Sequence, residues 1–210
     1  PFLTGVTKFG KIRLFSALNN LNDLSMWDEY VALCGITEQE LHDNFEEGIN
    51  KLAQAQGMTY DEVCSELKEC YDGYHFVENS IGIYNPFSLL NTFAKRKFGN
   101  YWFETGTPTY LVELLKMHNY DLHNMENVET DEDTLNSIDS SSTNPIPVIY
   151  QSGYLTIKDY DREFGTYYLG FPNREVDEGF MKFLLPFYTD TDKVNVAFHI
   201  TKFLREVSSG

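Results

Sequence analysis

The chain marks the starts of its helices with unusual regularity, and those marks fix how it can be divided into elements. Thr37 has Glu40 three residues on, and Thr59 has Glu62 three residues on. At that spacing a hydroxyl and a carboxylate together satisfy the free N–H groups of a first helical turn. Asn85-Pro86, Thr107-Pro108 and Asn144-Pro145 repeat a second device, a capping side chain followed by proline where the missing N–H is no loss. With Ser25 before Met26-Trp27-Asp28, these signals predict helices near 26–33, 38–56, 60–71, 86–96, 108–117 and 145–152. Asp72-Gly73 and Gly82 bracket Tyr74-His75-Phe76 as a short extended pair, and Gly99-Asn100 breaks the next helix.

The last third follows a different pattern. From Asn124 to Ser142 the sequence is acidic and serine-rich, with Glu126, Glu129, Asp131, Glu132, Asp133 and Asp139, and predicts an exposed connection with at most one helical turn. A boundary near residue 143 follows. Beyond the helix at 145–152, Tyr154 to Lys158 and Thr166 to Leu169 alternate around a turn at 159–165, which predicts a hairpin of half-buried strands. Pro172-Asn173 then opens a long amphipathic helix with Val176, Phe180, Phe183, Leu184 and Phe187 on one face. Val194, Phe198, Ile200 and Phe203 suggest a final helix. Helix, hairpin, helix is the arrangement of a winged helix, and the fold class expected is α+β, mainly helical.

Charge limits what such a unit could bind. The 210 residues carry 16 Lys and Arg against 32 Asp and Glu, a net charge of −16, which repels phosphate backbones and acidic membrane surfaces. The segment that would read a DNA groove, Pro145-Ile146-Pro147-Val148-Ile149-Tyr150-Gln151, contains neither Lys nor Arg, the residues that base and phosphate contacts need. In the hairpin Lys158 and Arg162 are interleaved with Asp159, Asp161 and Glu163, and Arg174 is followed by Glu175, Asp177 and Glu178. These read as a mixed, solvated face, so direct nucleic-acid binding is not expected. Cys34, Cys64 and Cys70 are odd in number and lack metal-site spacing; free thiols fit a cytoplasmic protein. No apolar run of membrane-spanning length and no N-terminal signal pattern occurs, so no membrane partner is expected. Pro1 falls in what reads as mid-strand, and a piece of a longer protein is expected.

The N-terminus carries a phosphate-loop pattern that fails at a chemical position. Gly5-Val6-Thr7-Lys8-Phe9-Gly10-Lys11 fits G-x-x-x-x-G-K, but Ile12 stands where a Ser or Thr hydroxyl would hold Mg²⁺. Ile12-Arg13-Leu14-Phe15 alternates like a strand or turn instead of opening a helix. Downstream there is no aliphatic strand ending in the acidic pair that positions metal and water. The bland reading, a strand end followed by a turn, outweighs the phosphate cradle.

Other candidate chemistry is thin. His118 and His123 are five apart and do not share a helix face, so solvated histidines are expected over a metal site. His75, between Tyr74 and Phe76 in a turn, reads as a packing or hydrogen-bonding residue. Ser152-Gly153 lacks the preceding glycine of a nucleophile elbow, Ser140-Ser141-Ser142 lies in the polar connection, and Cys64 reads as a small core residue. Tyr101-Trp102-Phe103, Tyr84 with Phe87, and Tyr167-Tyr168 could line a ligand groove, although core and inter-domain packing is the expected role.

Five separated stretches, taken together, carry a resemblance. They are Phe2-Leu3-Thr4-Gly5-Val6-Thr7-Lys8-Phe9, Tyr71-Asp72-Gly73-Tyr74-x-Phe76, Tyr84-Asn85-Pro86-Phe87-Ser88-Leu89-Leu90, Tyr101-Trp102-Phe103-x-Thr105-Gly106-Thr107-Pro108 and Tyr150-Gln151-Ser152-Gly153-Tyr154-Leu155-Thr156-Ile157. In this order they resemble the AAA-ATPase-like family of P-loop proteins abundant in gut Bacteroidetes. The resemblance implies that the true phosphate loop and the acidic strand lie upstream, so that ATP and Mg belong to the parent protein and neither is expected tightly bound here. It implies a remnant strand and turn of the ATPase core over 1–24, a helical lid over 25–143 and a winged-helix-like unit over 144–210. Thr7 would take the place of the polar sensor near the γ-phosphate, with Thr4 and Lys8 behind it. The implied partners are the N-terminal nucleotide-binding domain and a C-terminal restriction-endonuclease-like nuclease domain. Surface left bare by the missing nucleotide domain would favour a homodimer. Three readings stand: a non-catalytic lid and winged-helix portion coupling nucleotide state to a partner domain, a protein-interaction module of winged-helix type, and a self-sufficient nucleotide-binding enzyme using Gly10-Lys11.

Overall fold

Three of the capping signals, at Thr37, Thr59 and Asn85, act where the sequence puts them. In a computed structural model, which describes residues 23–104, 109–117, 125, 127–136 and 144–188, the Thr37 hydroxyl accepts from the Glu40 N–H at 3.2 Å and the Glu40 carboxylate accepts from the Thr37 N–H at 2.9 Å. They open helix α1 (Glu38–Asn44). The chain bends at Phe45 (φ −121°, ψ 15°) before α2 (Glu46–Gln56), so the single helix expected over 38–56 is two. The Phe45 ring stacks on Phe93 with centroids 5.5 Å apart, and this packing takes precedence over helical continuity. Thr59 and Glu62 form the second capping box, opening α3 (Tyr60–Tyr71), and Asn85 with Pro86 opens α4 (Pro86–Lys95). The helix expected over 26–33 is only a 3₁₀ turn at Asp28–Tyr30. The Ser25 hydroxyl donates to Asp23 Oδ1 at 2.6 Å instead of capping, and Trp27, in the cap position, offers no side-chain acceptor.

These helices enclose a first core of Leu41, Ile49, Leu52, Val63, Leu67, Tyr71, Tyr84 and Leu89. Each fully buried leucine among them contributes about 1.5–3 kcal/mol.

A second core forms around a small sheet. After α5 (Tyr101–Glu104) and α6 (Thr109–Met117) come β1 (Val128–Thr130), α7 (Glu132–Asn136), α8 (Ile146–Gln151), β2 (Thr156–Asp161), β3 (Thr166–Gly170) and α9 (Arg174–Tyr188). The strands are antiparallel in the order β1-β3-β2. Val128 and Ile157 flank Leu169 across the sheet, an unbroken apolar row of buried residues. The hairpin expected from the alternation is β2–β3, with a bulge between Ile157 and Asp159.

The acidic stretch 124–142 is not merely an exposed connection, because it contributes β1 and α7. Val128 and Leu135 are its aliphatic anchors and are buried, while Glu129, Asp131, Glu132 and Asp133 face water. Asp131 Oδ1 accepts from the Thr134 N–H at 2.7 Å and caps α7. Leu111, Leu115, Met125 and Leu135 pack with Ile149, Leu155 and Phe180, so residues on both sides of position 143 share one core. Among the described residues no helix is long and apolar enough to cross a membrane.

Candidate functional site

α3 ends at Tyr71, and the residues just after it bring the chain against the second core at Tyr74 before Tyr84 and Leu89 return it to the first. Asp72 is extended (φ −83°, ψ 179°) and Gly73 takes φ 99°, in the left-handed region. A Cβ at Gly73 would lie 2.1 Å from the Pro172 carbonyl oxygen, so the close approach of the two segments requires glycine. Beside this contact Asn173 Nδ2 donates to the Asp72 carbonyl at 3.0 Å. The His75 N–H donates to Thr156 Oγ1 at 2.7 Å, and the same hydroxyl donates to the His75 carbonyl at 2.9 Å. One threonine on β2 thereby satisfies both polar groups of the His75 backbone. The imidazole stays in its own turn, Nδ1 lying 2.9 Å from the Ser80 carbonyl, which agrees with a hydrogen-bonding role.

The aromatic stretch closes the junction from the other side. Gly153 (φ 79°) sits where an added Cβ would be in ordinary contact with Trp102 and Tyr74, at 3.6 and 3.7 Å. The Trp102 ring packs on Tyr154 at 4.8 Å and on Phe103 at 5.1 Å, so Trp102 and Phe103 serve packing and do not line a groove. The Trp102 N–H donates to Glu175 Oε1 at 2.9 Å. Glu175 is 2% exposed, which corrects its assignment to a solvated face. The overlooked signal is Gly179, one helical turn on: a Cβ there would lie 2.2 Å from the Phe103 ring, so this face of α9 meets a wall. Tyr71–Phe76, Tyr84–Leu90, Tyr101–Phe103 and Tyr150–Ile157 thus converge, the second through the Asn85 N–H donating to the Tyr71 carbonyl at 2.9 Å.

Asp72 is the charged group at the centre of this junction. Its carboxylate lies against Gly82, where a Cβ would come 2.7 Å from Oδ1, and Oδ1 has no hydrogen-bond partner among the described residues. Burial pushes the Asp72 carboxyl up from the ordinary range, and the Gly73 N–H and Lys68 offset this only in part. The folded state therefore holds that proton more tightly than the unfolded chain. The contribution to stability is full below the ordinary carboxylate range and is lost as pH rises through the raised folded value. Asp72→Asn is expected to remove the loss: the stability difference between variant and wild type, from urea unfolding between about pH 4 and 7, should shift in the variant's favour as pH rises. A difference flat across that range would refute the assignment.

Neighbouring polar groups serve structure. Burial would raise the Glu38 carboxyl, but hydrogen bonds from Tyr84 (2.7 Å) and Lys68 (3.3 Å) hold it below the ordinary range. A cleft of about 430 Å³ beside the junction is lined by Glu69, Lys158, Phe171, Asn173, Arg174 and Asp177, among others. Glu69 and Asp177 are balanced by Lys158 and Arg174, so the cleft selects neither anions nor cations. Among the described residues no three His, Cys, Asp or Glu side chains are grouped to hold a metal ion. Cys70 is buried in the first core, and Cys64 packs against that core half-buried. Thr4, Thr7 and Lys8, the Gly5–Lys11 pattern, His118, His123, Ser140–Ser142 and the final helix expected over 194–203 lie outside the described residues.

A protein of Azotobacter chroococcum mcd 1, named "Uncharacterized protein in vnfD 5'region", is 38% identical over 185 residues, covering 87% of this chain and 34% of the relative. The chain thus spans about a third of the length of the curated relative it matches. No protein-family model and no solved structure matches the chain.

Proposed function

We propose that this chain is the non-catalytic lid and winged-helix portion of a longer P-loop AAA-like ATPase, passing nucleotide state to a partner domain. The observation that carries the reading is the convergence of four resemblance motifs on one junction between two cores. Residues that build a junction, and not a pocket, suit a part that transmits movement. The match to a third of a longer protein also favours a portion over a self-sufficient enzyme.

The winged-helix part of the reading draws on topology. The order α6, β1, α7, α8, β2, β3 with strands arranged β1-β3-β2 supports that part, since it agrees with the order expected of a winged helix. In it α8 takes the groove-reading place, yet Ile146, Pro147 and Ile149 are buried and the helix has no cation to offer a phosphate. That favours a protein partner over nucleic acid and sustains the interaction-module reading as a second one. In this account Thr7, with Thr4 and Lys8, senses the γ-phosphate, ATP and Mg are bound by the upstream domain, and the protein works in the cytoplasm. Phe87 and Leu90, 45% and 49% exposed on α4, belong to the surface through which the nucleotide domain or a second copy would pack. The test is nucleotide binding to this chain alone: none is expected, whereas magnesium-dependent binding that requires Lys11 would install the third reading.

A further inference from the structure

The α3–α9 contact carries a charge arrangement that neither helix would favour by itself. Arg174 stands at the N-terminus of α9, where the helix dipole disfavours a cation, and Glu69 lies in the last turn of α3, where it disfavours an anion. Each misplacement is compensated by the other across the contact. Arg174 Nη1 donates to Glu69 at 2.7 Å, and Nη2 donates to Glu66 and, at 2.8 Å, to the Cys70 sulfur. Glu178, one turn along α9, lies 4.0 Å from Arg174 Nε and is itself bound by Lys182 at 2.9 Å. Beside the uncharged Asn173–Asp72 and Thr156–His75 hydrogen bonds, α3 and α9 meet through charge, while the buried leucines and phenylalanines of the two cores belong to separate clusters. A polar contact between separately packed cores permits relative motion.

We propose that Arg174 with Glu66 and Glu69 forms an electrostatic latch that sets whether the two cores move as one body. The Arg174 side chain is 35% exposed, so dissolved ions reach it and can screen the attraction. With the latch closed, each helix end is relieved of its unfavourable charge; with it open, both ends fray and the cores turn about the Gly73–Pro172 contact. This latch is a property of the chain itself and holds whatever the chain is attached to.

The test is amide hydrogen exchange over 66–76 and 171–178 in the 210-residue chain at low and high salt. Protection in wild type is expected to fall on the order of tenfold as salt rises, the scale of one guanidinium making charge-assisted hydrogen bonds to two carboxylates. Arg174→Glu should lose that protection already at low salt. The triple variant Arg174→Glu, Glu66→Arg, Glu69→Arg reverses the three charges of the latch, leaves Glu178 paired with Lys182, places each helix-end charge in accord with its dipole, and should restore it. Protection in Arg174→Glu equal to wild type, or a loss that the triple variant leaves unrepaired, would overturn the proposal.

Discussion

Replacing Gly73 by alanine is expected to lower the stability of this chain by about 2–6 kcal/mol. Two costs add. A residue with a Cβ held at φ 99° is strained by roughly 1–3 kcal/mol. The new methyl would also lie 2.1 Å from the Pro172 carbonyl oxygen, a backbone atom that cannot rotate away, and overpacking costs about 1–3 kcal/mol more. Against a typical total of about 5–15 kcal/mol the variant would be marginally folded. Urea unfolding measures the loss directly, and a value under about 1 kcal/mol would mean that the two segments part easily at this point.

Asn173→Ala is expected to cost about 2–4 kcal/mol, because one side chain serves both cores. Its Oδ1 accepts from the Val176 N–H at 3.1 Å and caps α9, worth about 1 kcal/mol. Its Nδ2 donates to the Asp72 carbonyl at 3.0 Å in a buried site, and leaving that acceptor unpaired costs about 1–3 kcal/mol. Asn173→Asp separates the two roles. Aspartate keeps the cap and suits the helix N-terminus, but it has no N–H for the Asp72 carbonyl. An intermediate loss is expected in the same unfolding assay; wild-type stability in Asn173→Asp would show that the bond between the cores contributes nothing.

Local devices were legible and long-range ones were not. Thr37, Thr59 and Asn85 act through atoms within three residues of themselves, so their caps could be read directly. Phe45 breaks a helix because of Phe93, forty-eight positions away, and nothing near it in the chain announces this. β1 is three residues long inside an acidic run, and only its pairing with β3 reveals Val128 as a core residue. At the junction the glycines and aromatics were visible as motifs, but their partners were not. Glu175 looked solvated beside Arg174, Asp177 and Glu178 because sequence shows charge without direction. In hindsight Arg174 was conspicuous: a cation opening a helix defies the dipole and points to carboxylates elsewhere.

On the proposed function, this chain transmits nucleotide state and does not itself bind nucleotide. Calorimetric titration of the 210-residue chain with Mg-ATP tests it most directly. No saturable heat is expected up to about millimolar nucleotide, the weakest range in which a dedicated site would register. Magnesium-dependent binding that disappears in Lys11→Ala would contradict it, and would mean that Gly5–Lys11 cradles phosphate despite Ile12.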